Sequence, residues 1–215
     1  MGTRFEDRTE AGARLAGALA GFEGRQDTVV LGLARGGIPV AAAAAQALGL
    51  PLGTVLVRKL GIPGHEETAY GALAWARGRM VRLLNRPLLE RVGEHGVGQE
   101  QLDGVEERER AELLRRVQLY PGADLDVSGK TVILVDDGLA TGATMRAAVE
   151  AMREEGAAAV VAAAPVGSVD AEASLERVCD AVVCLHLPGK FRAVGSWYRQ
   201  FGQLTDEDAV RFLSA

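Results

Sequence analysis

Apolar residues fall along the chain in two alternating rhythms. Short unbroken runs occupy 28–34 (TVVLGLA), 52–59 (LGTVLVRK), 130–137 (KTVILVDD), 158–166 (AAVVAAAPV) and 180–187 (DAVVCLHL). Between them lie segments with apolar residues at helical spacing: 38–49 (IPVAAAAAQALG), 144–156 (TMRAAVEAMREEG) and 168–178 (SVDAEASLERV), the last with Ser168 or Asp170 near its cap. Strands apolar throughout, alternating with helices, predict a parallel sheet covered on both faces, a doubly wound α/β fold. A further helix is predicted over 8–22 with Thr9 as its cap, and a short one in the tail, opened by Thr205 or Asp206.

The rhythm breaks over 61–84. GIPGHEETAYG (61–71) reads as a polar loop, and ALAWA (72–76) with RMVRLLN (79–85) as two antiparallel strands joined around Gly78. The charged stretch 99–117 (QEQLDGVEERERAELLRRV) predicts a surface helix with a solvated face. No internal repeat or low-complexity linker divides the chain, which reads as one domain over 1–215, with a core of about 25–187, a flexible loop of about 61–84 and a small C-terminal hood of about 188–215.

Composition changes this picture little. The 215 residues are 48% hydrophobic and 25% charged, as in soluble globular proteins, and the net charge of -5 argues against a broad nucleic-acid surface. The longest nearly uncharged stretch, 38–57, is broken by Pro39, Pro51 and glycines, so no membrane span is expected. Cys179 and Cys184 form no disulfide framework and read as reduced core residues; with no signal peptide, the expected compartment is the cytoplasm.

The chemistry gathers at strand ends, where open parallel sheets bind their ligands. After the strand at 132–135, Asp136 and Asp137 are followed by Gly138, Leu139, Ala140, Thr141, Gly142, Ala143 and Thr144. Small residues opening a helix let backbone N–H groups converge on an anion, and both threonines add hydroxyl donors. Two carboxylates beside a phosphate cradle make sense if they accept hydrogen bonds from a sugar diol on the same molecule. Ligand and loop together read as a ribose 5-phosphate.

VILVDDGLATGAT (132–144) resembles the signature of the type I phosphoribosyltransferases, which use 5-phosphoribosyl 1-pyrophosphate (PRPP). The resemblance implies that Asp136 and Asp137 hold the ribose hydroxyls and that residues 138–144 hold the 5'-phosphate. GLARGG (32–37) is similar to the family's pyrophosphate loop, with Arg35, Gly36 and Gly37 meeting the leaving group. VRKLGIPG (57–64) is similar to the segment before the mobile loop of adenine phosphoribosyltransferases, which brings Arg58 and Lys59 to the pyrophosphate. Residues 61–71 then take the place of the loop that closes over the reaction centre.

Ala140 stands where oxopurine members carry an aspartate that assists the base, so the motif is closer to adenine and uracil members. No motif fixes Glu66 or Glu67 as a general acid or base. Phe191, Trp197, Tyr198 and Phe201 crowd the tail, where Phe191, Trp197 and Tyr198 offer stacking faces for a base or plain hydrophobic anchors. His65, His95 and His186 lack metal-ligand spacing. The expected ion is Mg²⁺, arriving with PRPP and needing no protein cage.

The leading expectation is phosphoribosyl transfer from Mg–PRPP to a small nitrogen acceptor, a nucleobase, with Arg35, Lys59, Asp136 and Asp137 as the central residues. The alternative is a non-catalytic PRPP sensor acting through a protein or RNA partner. A phosphatase finds no nucleophile or metal cage. A homodimer is a family expectation.

Overall fold

The computed structural model describes residues 4–76, 78–94 and 97–214. Its elements in chain order are α1 (Arg8–Ala18), β1 (Thr28–Leu33), α2 (Gly37–Leu48), β2 (Leu52–Ile62), β3 (His65–Ala76), β4 (Arg79–Leu84), α3 (Arg86–Glu94), α4 (Gln99–Val117), β5 (Thr131–Val135), α5 (Ala143–Glu154), β6 (Ala159–Val166), α6 (Val169–Leu175), β7 (Ala181–His186) and α7 (Asp206–Leu213). One seven-stranded sheet runs β4-β3-β2-β1-β5-β6-β7. The five strands from β2 to β7 in that order are parallel; β3 and β4 are antiparallel additions at one edge.

Each central strand is apolar throughout because each has two covered faces. Alternate residues point to opposite sides. Val30, Ile133 and Val161 pack under α1 and α2 with Leu15, Leu19, Val40 and Ala44. Their neighbours Val29, Leu31, Val132, Leu134 and Val160 pack under α5 with Met145, Val149 and Met152. The expected doubly wound sheet is therefore present. It has a topological switch point between β1 and β5, because the chain leaves β1 toward β2 and returns from the far edge to β5.

Several expectations need correction in detail. The polar stretch 61–71 is not a coil loop. β2 and β3 run on through it as a two-stranded ribbon, with register shifts at Leu60–Ile62 and only Pro63 and Gly64 left between the strands. The antiparallel pair around Gly78 is β3 and β4, as expected. Helix α3 was not foreseen. The cap of α1 is Asp7, whose carboxylate accepts from the Glu10 N–H at 2.8 Å, and not Thr9. Ser168 and Thr205 do cap α6 and α7.

The charged helix α4 is also more than a solvated face. Leu102, Val105 and Leu113 are buried beneath it with Tyr70 and Leu73 of β3, while Glu109 and Glu106 reach Arg58 and Arg82 on the sheet. β7 is a half-exposed edge strand, and Cys179 beside it and Cys184 within it are free thiols in partly buried positions, Cys179 packed against the core cluster under α5. No helix among the described residues is long and apolar enough to cross a membrane.

The tail after β7 doubles back onto the start of the chain. Phe5 and Tyr198 form a parallel bridge, with the Phe5 N–H donating to the Trp197 carbonyl at 2.8 Å and the Arg199 N–H to the Phe5 carbonyl at 2.9 Å. Helix α7 then sinks Ala209 into the cluster below α4.

Candidate functional site

The register Gly32↔Val135 sets the end of β1 beside the end of β5 at the switch point. The turn Ala34–Gly37 and the acid pair therefore touch. A Cβ on Gly36 would lie 2.1 Å from Asp137 Oδ2, and one on Gly37 would lie 2.3 Å from the Val135 carbonyl oxygen. Only glycines permit this approach. The Ala34–Arg35 peptide is cis. Arg35 is exposed, and among the described residues its side chain makes no ion pair or hydrogen bond.

The loop after the acids is fixed from below and open above. Leu139 is buried and bridges Gly167, its N–H donating to the Val166 carbonyl at 2.9 Å. The Ser168 hydroxyl donates to the Ala140 carbonyl at 2.8 Å. Gly142 caps α5 at a φ of 71°, a left-handed conformation that suits glycine, and the exposed Thr141 and Ala143 flank it. The positive end of the twelve-residue α5 helix is thus presented to solvent beside two hydroxyl-bearing side chains, Thr141 and Thr144.

Asp136 is closed in, and burial, reinforced by Asp137 next to it, pushes its carboxyl up to about 8, against a hydrogen bond from the Asp137 N–H. Burial raises Asp137 as well, opposed by Arg8. Near neutrality such a pair holds one proton between its members. Arg8 opposes the rise on both carboxyls, and at Asp137 it also donates a hydrogen bond.

That cation was not foreseen. Arg8 Nε lies 2.9 Å from Asp137 Oδ2, with the side chains only 12% and 14% exposed. Its guanidinium lies 3.9 Å from the centroid of the Phe201 ring and donates to the Gly202 carbonyl at 3.0 Å. The Tyr198 hydroxyl donates to the Asp137 backbone carbonyl at 2.6 Å. Nothing near Arg8 in the sequence marks it out; its partner is 129 residues away. Arg116 was missed for a similar reason, since it belongs to the charge run of α4. It is 12% exposed, held by Glu112 at 2.8 Å, and faces the site.

Three adjoining cavities surround the strand ends. One of about 420 Å³ is lined by Arg8, Arg35, Gly36, Arg58, Arg116, Asp136, Asp137, Thr144 and Phe201. A second, of about 660 Å³, includes Arg58, Lys59, Arg108, Glu109 and Thr144. A third, of about 650 Å³, includes Lys59, Thr141, Gly142 and Ala143. Among the residues expected at the PRPP site, these walls contain Arg35, Gly36, Arg58, Lys59, Asp136, Asp137, Thr141, Gly142, Ala143 and Thr144. Gly37, Gly138, Leu139 and Ala140 form the backbone beneath. Lys59 is exposed and, among the described residues, without an ion pair, whereas Arg58 is paired with Glu109.

The tail aromatics separate into different tasks. Tyr198 is buried, its ring centroid 5.5 Å from Phe5 and 4.9 Å from Phe201, so both neighbours anchor it. Trp197 stands 6.3 Å from His186 and lines a separate cavity of about 240 Å³. Phe191 is half-buried and lines none of the four. The side chains of Glu66 and Glu67, and all of His95, lie outside the described residues. Among the described residues no three His, Cys, Asp or Glu side chains gather as metal ligands.

Comparison with known proteins shows the family of the chain. The family profile described as phosphoribosyl transferase domain matches residues 6–193. A provisionally named phosphoribosyl transferase of Mycobacterium tuberculosis, Rv0571c, is 43% identical over 211 residues. That match covers 97% of this chain but 46% of the relative, so the chain spans about half the length of the curated protein. The crystal structure of TT1426 from Thermus thermophilus is 42% identical with a TM-score of 0.82, covering 98% of both chains. A ribose-phosphate pyrophosphokinase of Thermococcus kodakarensis is 46% identical over 66 residues, 31% of this chain and 23% of that protein.

Proposed function

The chain belongs to the phosphoribosyl transferase domain family, and on that premise we propose that it moves the 5-phosphoribosyl group from Mg–PRPP to a nitrogen acceptor, a nucleobase, releasing pyrophosphate. One observation supports this above the others. At the switch point of the sheet, an acid pair, an open helix N-terminus and the cations Arg35 and Lys59, both without ion-pair partners among the described residues, converge on adjoining cavities. Unpaired cations facing a cavity suit a ligand that brings its own negative charge.

In this reading the 5'-phosphate sits on the N–H groups and hydroxyls of residues 138–144, and Asp136 and Asp137 accept from the ribose diol. Arg35, Gly36, Gly37, Arg58 and Lys59 meet the pyrophosphate. As pyrophosphate departs, the ribose gains oxocarbenium character, as in glycoside chemistry. The chain's task is then to position the sugar and to stabilise the leaving charge with fixed donors. Mg²⁺ enters as part of the substrate, neutralising phosphate charge while keeping most of its waters. The β2–β3 ribbon lies where closure would exclude water.

Asp137 already has a cation in Arg8, so diol binding uses its remaining lone pairs or displaces the guanidinium. That pairing favours a second reading, a PRPP-binding protein whose site is held shut and which signals without turnover. Free thiols at Cys179 and Cys184, both raised by burial to about 11, suit the reducing cytoplasm.

Pyrophosphate release separates the two readings. Incubation with Mg–PRPP and a panel of purines, pyrimidines and related rings gives acceptor-dependent release for the transferase. PRPP binding with no release for any acceptor selects the sensor. The double substitution Asp136→Asn, Asp137→Asn weakens PRPP binding under both, and unchanged affinity overturns the ribose assignment.

A further inference from the structure

Arg116 uses only part of its guanidinium inside the protein. Its side chain is 12% exposed, and Nε donates to Glu112 Oε1 at 2.8 Å, with Asp206 Oδ1 at 3.9 Å from the same nitrogen. Among the described residues no hydrogen bond engages its two terminal nitrogens. Among the same residues no fully enclosed side-chain nitrogen or oxygen lacks a hydrogen-bond partner. The terminal nitrogens of Arg116 therefore reach open space. That space is the pair of cavities of about 420 and 660 Å³, because Arg116 is on the wall of both. Its neighbour Arg115 differs: bonds to Glu112 and Asp206 occupy it, and it lines neither cavity.

Helix α4 dictates this placement. Glu109, Leu113 and Arg116 recur at helical spacing and so share one face. Leu113 is buried, Glu109 pairs with Arg58 of β2, and Arg116 comes to the cavity wall that also contains Arg58. The two cavities share Ala34, Arg58, Arg116 and Thr144, and the smaller adds Arg35 and Gly36. The cavity with Thr141, Gly142 and Ala143 does not include Arg116. Arg116 thus stands with the turn after β1 and apart from the opening of α5. Tyr120 agrees: burial and then Asp206 raise its hydroxyl, while Arg116 and Arg35 both act to lower it, so both guanidiniums lie within electrostatic reach of one ring. A planar fork with unused donors, beside other cations and held by a carboxylate, suits oxygens that bring more than one negative charge.

We propose that Arg116 is a further substrate-binding residue: its terminal N–H groups donate to the pyrophosphate of PRPP, and Glu112 is the positioning residue that aims them. This rests on the phosphoribosyl transfer reading. As the bond from ribose C1 to the pyrophosphate oxygen breaks, its electron pair leaves with pyrophosphate, and the lone pair of the acceptor nitrogen forms the new bond to C1. A nitrogen that carries hydrogen gives its proton to solvent. Arg116 meets the charge that grows on the leaving oxygens, and Glu112 holds it in place before that charge appears.

Calorimetric titration of the full chain with Mg–pyrophosphate and, separately, with ribose 5-phosphate tests this, because only the first ligand carries the leaving group. Arg116→Ala is expected to weaken pyrophosphate binding by about tenfold or more, the scale of losing hydrogen bonds from a charged donor, and to leave ribose 5-phosphate within about twofold. Arg116→Lys keeps the charge without the fork and falls between; it carries the comparison if the alanine variant does not fold. Glu112→Ala is expected to weaken pyrophosphate binding by about threefold or more, with the double variant no weaker than Arg116→Ala alone. Arg110→Ala removes a cation of the same helix that lines neither cavity, and should change neither affinity by more than about twofold. Pyrophosphate binding absent from the parent, equal losses for the two ligands, no loss, a like loss in Arg110→Ala, or additive losses for Glu112 and Arg116 each overturn the proposal. Failure of the ribose reading looks different: ribose 5-phosphate affinity then survives Asp136→Asn with Asp137→Asn, while the effect of Arg116 on pyrophosphate persists.

Discussion

Arg8 and Asp137, 129 residues apart, form an ion pair of 2.9 Å that is almost wholly enclosed. The same guanidinium lies over Phe201, so one side chain ties the first helix, the acid pair and the tail. Removing it by Arg8→Ala leaves Asp137 enclosed and unpaired. A charge-assisted hydrogen bond together with a partly buried cation–π contact is worth roughly 1–3 kcal/mol. Urea unfolding is expected to show a loss of that size, with Arg8→Lys falling between. A variant as stable as the parent means the pair contributes nothing.

Arg35→Ala and Lys59→Ala are expected to behave in the opposite way. Both side chains are exposed and, among the described residues, unpaired, so neither substitution removes an interaction from the folded chain. Stability should stay within about 0.5 kcal/mol, as for ordinary surface changes. Pyrophosphate release should fall by about 10²-fold or more, the scale of removing one fixed donor from a developing charge. A matched loss of stability and activity would instead assign them a structural role.

Asp136 makes stability depend on pH. Its carboxyl is raised by burial to about 8 from an ordinary value of 3.8. The folded chain therefore binds the proton more tightly than the unfolded chain, and this contribution is fully present below pH 3.8 and lost as pH rises through about 8. Asp136→Asn removes the titration. Relative to the parent, the variant is expected to be the more stable at pH 8 and to differ little at pH 4, while PRPP binding weakens. Thermal melts at the two pH values check this; an equal difference at both refutes it.

Gly36→Ala tests the contact between the two loops. Its new methyl would sit 2.1 Å from Asp137 Oδ2, so either the turn or the acid must move. Overpacking of this kind costs about 1–3 kcal/mol, and calorimetry should find it together with weakened PRPP binding. Gly17→Ala, with nothing within 4 Å of the added Cβ and a place inside α1, serves as the control that tolerates the change.

What the sequence made legible was local. The run VILVDD and the small residues to Thr144 announce a strand, an acid pair and a helix opening because each depends on neighbours in the chain. The parallel sheet was readable from strands apolar on both faces. What stayed hidden depended on distant partners or on local rivals. Thr9 was fit to cap α1, but the helix starts one residue earlier, at Arg8, and Asp7 caps it. The stretch 61–71 looked polar enough for a loop, yet pairing of its backbone with β2 made it strand. Arg8 and Arg116 resembled ordinary helix-surface charges, and their meaning appears only when α1 and α4 are placed against β5 and the tail. The crowded tail aromatics were visible as a cluster, but their division into the anchors Tyr198 and Phe201 and the cavity wall Trp197 was not.

The bridge between Phe5 and Tyr198 also sets an order of events during synthesis. As the chain emerges from the ribosome, the central strands and the loop after Asp137 can fold among themselves. The tyrosine that steadies Asp137 and the ring that seats Arg8 do not yet exist at that stage. The surroundings of the acid pair are therefore finished by residues made some sixty positions after the motif, and a nascent chain stalled before Phe201 carries the acid pair without Tyr198 and Phe201 fully in place.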